Sequence, residues 1–154
     1  MEDYQIEERI MKDLIHLLRE DSNSLVVFGK EKKFSTFDGK GVSDLFRLLH
    51  EHPETLDGAS LADKIVGKGA AALMALGRVK EIYAEVISEP ALAMLEQEGI
   101  LATYGKLVPH IINRAGTGMC PVETRCLPCN TPAECLVQIT TFIEEMKTKK
   151  QLVQ

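Results

Sequence analysis

Ser60-Leu61-Ala62-Asp63-Lys64-Ile65-Val66-Gly67-Lys68-Gly69-Ala70-Ala71-Ala72-Leu73-Met74-Ala75-Leu76-Gly77 is the stretch whose reading decides the fold. Ser60 and Asp63 have the spacing of a capping box, a hydroxyl at the cap and a carboxylate three residues on, and Gly77 stands where a left-handed stop is expected. The spacing predicts a helix over residues 61–76. Its second half, from Gly69 to Leu76, has no polar side, so it should be covered on every face as the central helix of the domain. Asp63, Lys64, Gly67 and Lys68 then form one polar stripe on the first two turns. Two lysines one turn apart repel unless an acid or an anionic ligand lies between them. That singles out Asp63, Lys64 and Lys68 as site candidates, against the plainer reading of a solvated first turn capped by Asp63.

Toward the amino terminus, Ile6, Ile10, Leu14, Leu17 and Leu18 recur at helical spacing within residues 4–20, an amphipathic helix. Two apolar runs, Leu25 to Phe28 and Phe34 to Phe37, flank Gly29 and a charged turn and read as a hairpin. Ser43 can cap a short helix carrying Leu45, Leu48 and Leu49, stopped by His52-Pro53. Toward the carboxyl terminus, residues 81–87 form a strand, residues 89–98 a helix stopped by Gly99, and residues 100–104 another strand. Residues 107–112 read as one more strand, with Pro109 at an edge or bulge. Thr131-Pro132-Ala133-Glu134 is a capping box with proline at the first helical position, opening a last helix with Leu136, Ile139, Ile143 and Met146 facing inward. Residues 146–154 are expected to fray. Strands alternating with helices predict an α/β fold of three layers, a mixed sheet covered by helices.

Length and charge bound the function. A chain of 154 residues with 45% hydrophobic residues and a mean hydropathy of -0.05 has the size and apolar content of a single domain, residues 1–154. The longest stretches without a charge are nine residues, Gly69 to Gly77 and Cys135 to Ile143, whereas a spanning helix needs ~20; no membrane partner is expected. Met1-Glu2-Asp3 lacks the basic start of a signal peptide, which points to the cytoplasm. A net charge of -5 argues against a nucleic-acid partner.

All four cysteines fall between positions 120 and 135. Cys126-Leu127-Pro128-Cys129 is a knuckle of the kind that holds zinc or cycles as a dithiol, but Cys120 and Cys135 do not form a second one; metal, redox pair and plain reduced thiols all stay open. Cys120 follows Gly116-Thr117-Gly118-Met119 and precedes Pro121, with Glu123 three residues on. It can cap a short helical turn whose free amides would lower a thiol pKa, and the glycine backbone could turn inward to hold an anion. A glycine-rich turn with a buried cysteine is the competing reading. His16, His50, His52 and His110 show no partner spacing, which disfavours a histidine-based metal site.

The element order resembles the cytidine deaminase-like fold, and the wording is similar to a small bacterial family without an assigned activity. The residues that carry the resemblance are Ala59 to Ala71, Ser88-Glu89-Pro90-Ala91-Leu92-Ala93-Met94-Leu95, Val108 to Arg114 and Cys120-Pro121-Val122-Glu123, over roughly residues 14–123. In the zinc deaminases a histidine or cysteine and a glutamate open the central helix, and a proline-cysteine pair with a second cysteine three residues later opens the next. Here Pro90 is in place, but Ala91 and Met94 stand where both cysteines would be, and residues 66–68 supply neither zinc ligand nor glutamate. The resemblance therefore implies the scaffold without its metal, and no cofactor is expected. In that fold the starts of the two helices face each other across the substrate cavity, which would bring Asp63, Lys64 and Lys68 to its mouth with Asn113, Arg114, Gly116 and Gly118 closing over the same end. Such a site suits a small anionic molecule, with Cys120 as nucleophile, Glu123 or Asp63 as proton carrier and Lys64 or Lys68 as charge stabiliser. Two other readings compete: a non-catalytic regulatory or interaction domain with a vestigial pocket, and a relocated metal site among the cysteines. Homo-oligomerisation stays open.

Overall fold

The computed structural model describes residues 2–20 and 22–153, with side chains placed for residues 5–20 and 22–150. In chain order the elements are α1 (Glu2–Leu18), β1 (Leu25–Phe28), β2 (Phe34–Phe37), α2 (Ser43–Glu51), α3 (Pro53–Leu56), β3 (Ser60–Val66), α4 (Lys68–Leu76), β4 (Glu81–Ser88), α5 (Glu89–Gln97), β5 (Leu101–Val108), α6 (Pro121–Cys126) and α7 (Pro132–Val153). The five strands form one sheet in the order β2-β1-β3-β4-β5. β1 runs antiparallel to both β2 and β3, while β3, β4 and β5 are parallel.

The expected helix over residues 61–76 is two elements. Its first half is β3, the central strand, with Leu61 and Ala62 both fully buried on opposite faces. A strand covered on both faces shows no alternation, so its apolar run fits a helix template as well as a strand. Pairing on both sides decides the matter: Leu61 lies beside Val27 and Ile82, and Asp63 beside Leu25 and Ala84. The chain turns only at Gly67, still extended at φ -95, ψ 178, and α4 begins at Lys68. Ser60 consequently caps nothing; its hydroxyl donates to Glu81 on β4. The left-handed residue after α4 is Arg78, not Gly77.

Parallel crossovers share one hand, so α4 and α5, which step the same way across the sheet, fall on one face. There they join α2, α6 and α7 in the main core, built around Leu73, Met74, Ile82, Ile87, Leu95 and Ile139. On the other face α1 supplies the cover among the described residues, packing Leu14 and Leu18 on Val26, Ala62 and Tyr83. The result is the expected three-layer, mixed-sheet α/β architecture. β5, at the open edge, keeps Leu101, Tyr104 and Leu107 exposed.

Other expectations shift locally. β5 runs on through Val108, so residues 107–112 are not a separate strand; Ile112 makes only a bridge to Met119. Ser43 opens α2 but does not cap it; its hydroxyl donates to the Lys40 carbonyl. Thr131 does cap α7, accepting the Glu134 N–H at 3.2 Å. α7 stays helical to Val153 instead of fraying from residue 146, and Met146 is 41% exposed, not inward. Among the described residues no helix is long and apolar enough to cross a membrane.

Candidate functional site

The parallel strands β3 and β4 end at Val66 and Ser88, and the helices that follow them start there, the place where α/β sheets offer ligands free backbone N–H groups. At α5 the chain uses this itself, the Ser88 hydroxyl accepting the Ala91 N–H at 3.2 Å. At α4 a carboxylate from elsewhere does so. Cys120 is the N-cap of α6, as expected, and Pro121 its first residue. The first turn of α6 aims Glu123 away from its own helix and into the start of α4. One carboxylate oxygen accepts the Lys68 N–H at 2.8 Å, and the other accepts the Ile111 N–H at 2.7 Å. Glu123 is 1% exposed. A buried carboxylate survives only when such donors replace its water, and the positive end of α4 adds to them.

Gly69 makes the contact possible. A Cβ there would lie 2.4 Å from a Val122 methyl and 3.5 Å from the Cys126 sulfur, so α6 and α7 reach the first turn of α4 only because the side chain is missing. The Lys68 ammonium spans the same junction, donating to the carbonyls of Leu127 at 2.9 Å and Cys129 at 2.5 Å. Beneath it Cys126, Cys129 and Cys135 meet. Cys126 and Cys135 are fully buried and Cys129 nearly so. The neighbouring Cys126 and Cys129 thiols and the charge of Lys68 pull Cys135 down to about 7 against the opposing effect of burial, while the Cys129 thiol donates to the Arg125 carbonyl at 3.8 Å. The neighbouring Cys135 thiol in turn pushes Cys126 up, and burial pushes up Cys129. All four cysteines are free thiols. Among the described residues no group of three or more His, Cys, Asp or Glu side chains is placed to hold a metal ion.

The single site expected from the sequence separates into parts. Glu123 and Lys68 do meet across 55 residues of chain, through the lysine's backbone and not its ammonium. Asp63 and Lys64 are on β3, not on the helix, so the stripe they were to share with Lys68 does not exist. Strand alternation sets Lys64 with Ala62 on the α1 side of the sheet. Asp63, 9% exposed, lies near Asp44 of α2. Burial is the main cause that pushes its carboxyl up to about 7, against hydrogen bonds from the Ile65 and Lys64 N–H groups.

The glycine loop closes on itself. Asn113 takes the Thr117 N–H on its side-chain oxygen at 3.0 Å and pairs its backbone N–H with the Gly118 carbonyl at 2.8 Å, and Gly116 turns at φ +71. Arg114 is exposed. An open groove of about 180 Å³ does border the junction, lined by Lys68, Pro90, Ala93, Met94, Gln97, Cys129 and Asn130.

A family model described as a domain of unknown function, DUF1893, matches residues 13–143. The chain belongs to the DUF1893 family. A solved DUF1893 family protein from Thermotoga maritima superposes with a TM-score of 0.78 at 24% identity, covering 86% of this chain and 89% of that one. At that identity the likeness establishes the fold. No curated protein matches the chain.

In this DUF1893 chain the contributors that sequence reasoning missed are the Ile111 N–H, Cys126 and Cys135 as neighbours of α4, and Gly69 as the point of close approach. Only Gly69 left a signal, a glycine set against three alanines in the first turn of an otherwise apolar helix.

Proposed function

We propose that this protein binds a small anionic molecule on a cytidine deaminase-like scaffold that lacks the usual zinc ligands. The observation that carries the reading is the groove between the start of α4 and α5, with Lys68 on its wall. Two of the three ammonium donors of Lys68 are taken by carbonyls, which leaves one for a ligand. At about 180 Å³ the groove is below the usual ~300 Å³ of a drug-sized pocket, so it takes the phosphate or carboxylate end of a ligand whose remainder lies outside. The scaffold assignment is supported by the β2-β1-β3-β4-β5 order and by Pro90, Ala91 and Met94 standing in frame at the start of α5. Ala91 and Met94 are both buried there. A thioether and a methyl group give the position no means of activating water through zinc.

Binding is favoured over catalysis by Glu123, whose two oxygens are both spent on backbone N–H groups. The four free thiols suit the reducing cytoplasm. The test is a titration of isotope-labelled protein with inorganic phosphate and a nucleoside monophosphate, followed by amide shifts. Saturable shifts at Lys68, Gln97 and Asn130 are expected. Ala93→Glu, which adds a negative charge on the exposed wall of the groove, should weaken binding roughly tenfold, about 1.4 kcal/mol. No shift at millimolar ligand, or shifts confined to residues 113–118, would overturn the proposal.

A further inference from the structure

We infer that β5 pairs with the β5 of a second copy of this chain, antiparallel about a two-fold axis at Tyr104, so that two five-stranded sheets join edge to edge. The inference is independent of anion binding, since the groove lies on the α4 side of α5 and this edge on the other. β5 ends the sheet order β2-β1-β3-β4-β5, and among the described residues it packs chiefly on β4 and α5. Its outer side therefore presents unpaired backbone N–H and C=O groups over eight residues, Leu101–Val108. Edge strands are ordinarily blunted by shortness, charge or bulges. β2, at the opposite edge, follows that rule: it has four residues and is entered from Lys30-Glu31-Lys32-Lys33. β5 does not. It is twice as long, carries Lys106 as its single charge, and exposes Leu101, Tyr104 and Leu107. Parallel strands are normally covered on both faces, so apolar exposure on this one marks a surface that a partner covers.

Self-complementarity selects a second copy as that partner. A two-fold contact requires each residue to find its mate in the same strand. With Tyr104 opposite Tyr104, Leu101 stands opposite Leu107 at both ends, and Lys106 stands opposite Ala102, so the two lysines stay apart. Charge favours the same register. Ala84, the β4 mate of Tyr104, belongs to the main core, which sets Tyr104 on the α5 face of the sheet. Pro90, Ala93 and Gln97 of α5 line the groove beside α4, so Leu92 and Glu96 turn away from it, toward the β5 edge. α5 ends at Gln97 and β5 begins at Leu101, which puts Glu96 at the level of the start of β5. There the register brings Lys106 of the other copy, and the one charge on each edge meets a carboxylate across the axis.

The experiment is sedimentation of the full chain over a concentration series. One strand and one helix edge from each copy make a small interface, below ~1,200 Å² in total, so a dissociation constant on the order of 10 µM is expected. The weight-average mass should rise from 17.1 kDa toward twice that value as concentration passes through this range. Tyr104→Lys places two like charges on the axis and should weaken association at least about tenfold. Its thermal melt at ~1 µM, where both proteins are monomers, should match the wild type, because Tyr104 is exposed. Lys106→Glu alone should also weaken the dimer, and Lys106→Glu combined with Glu96→Lys should restore it to within about threefold of the wild type, a result that only proximity of the two positions gives. A wild-type chain that stays monomeric to ~500 µM, a dimer that Tyr104→Lys leaves intact, or a charge exchange that restores nothing would each overturn the assignment. The wild-type series decides even if a variant fails to fold.

Discussion

Replacing Glu123 by glutamine tests the junction at its centre, because the two side chains have nearly the same shape and differ in what they can accept. In the native protein both carboxylate oxygens take backbone N–H groups, from Lys68 at 2.8 Å and Ile111 at 2.7 Å, at a position 1% exposed. Glutamine offers one oxygen, and its NH2 group must face the other N–H. The variant loses a hydrogen bond to a charged acceptor, about 1.5–3 kcal/mol, and leaves buried donors unsatisfied at about 1–3 kcal/mol. Burying a neutral amide instead of a carboxylate returns part of this. The net expectation is a loss of roughly 2–4 kcal/mol, which at ~2–4 °C per kcal/mol lowers Tm by roughly 5–15 °C. Urea unfolding followed by circular dichroism measures the first quantity and a thermal melt the second. Native-state hydrogen exchange supplies a local readout, since the Lys68 and Ile111 amides should lose protection before the core strands do. A loss below about 0.5 kcal/mol, with both amides still protected, would refute the account of Glu123 as the group that completes the start of α4.

Gly69→Ala should destabilise by about 1–3 kcal/mol by overpacking, despite the better helix propensity of alanine, because the new methyl meets Val122 at 2.4 Å; a stabilised variant in urea unfolding would contradict the close approach. Asp63 has its folded carboxyl raised to about 7 above the usual ~3.9, so the folded state holds the proton more tightly and stability falls as pH rises from about 4 to 7. Asp63→Asn should therefore gain on the wild type by a few kcal/mol between pH 5 and pH 8, and a constant difference across that range would rule the buried carboxyl out. Thr131→Ala should cost about 1 kcal/mol through the lost cap, read as a lower urea midpoint with unchanged slope; an unchanged midpoint would deny the cap a role.

Where one face of an element met solvent, its periodicity was legible. The stripe Ile10, Leu14 and Leu18 marked α1, the alternation of Phe34 to Phe37 marked β2, and Thr131 and Glu134 marked the start of α7, whereas β1, buried from Leu25 to Val27, was legible only through the turn residues that bound it. Legibility failed where burial was complete. Residues 60–63 are buried without interruption, so they carry no period, and a spurious capping box was enough to turn them into helix. The misplacement of Asp63 and Lys64 in the site follows directly from that error.

The sequence by itself determined the α/β class and the three layers, because each depends on local patterns of apolar residues and turn signals that the chain writes within a few positions. It also marked Cys120 as a residue able to occupy the N-cap of a short helical turn, the position it takes at α6 without a side-chain bond. Only the tertiary structure decided which strand is central, that Glu123 binds the start of α4, and that Cys126, Cys129 and Cys135 gather under Lys68. These contacts join segments up to 67 positions apart. Their existence depends on the order of strands in the sheet and on α6 and α7 closing over Gly69. Such pairings follow from hydrogen-bond and packing demands of the whole domain, and no local spacing encodes them.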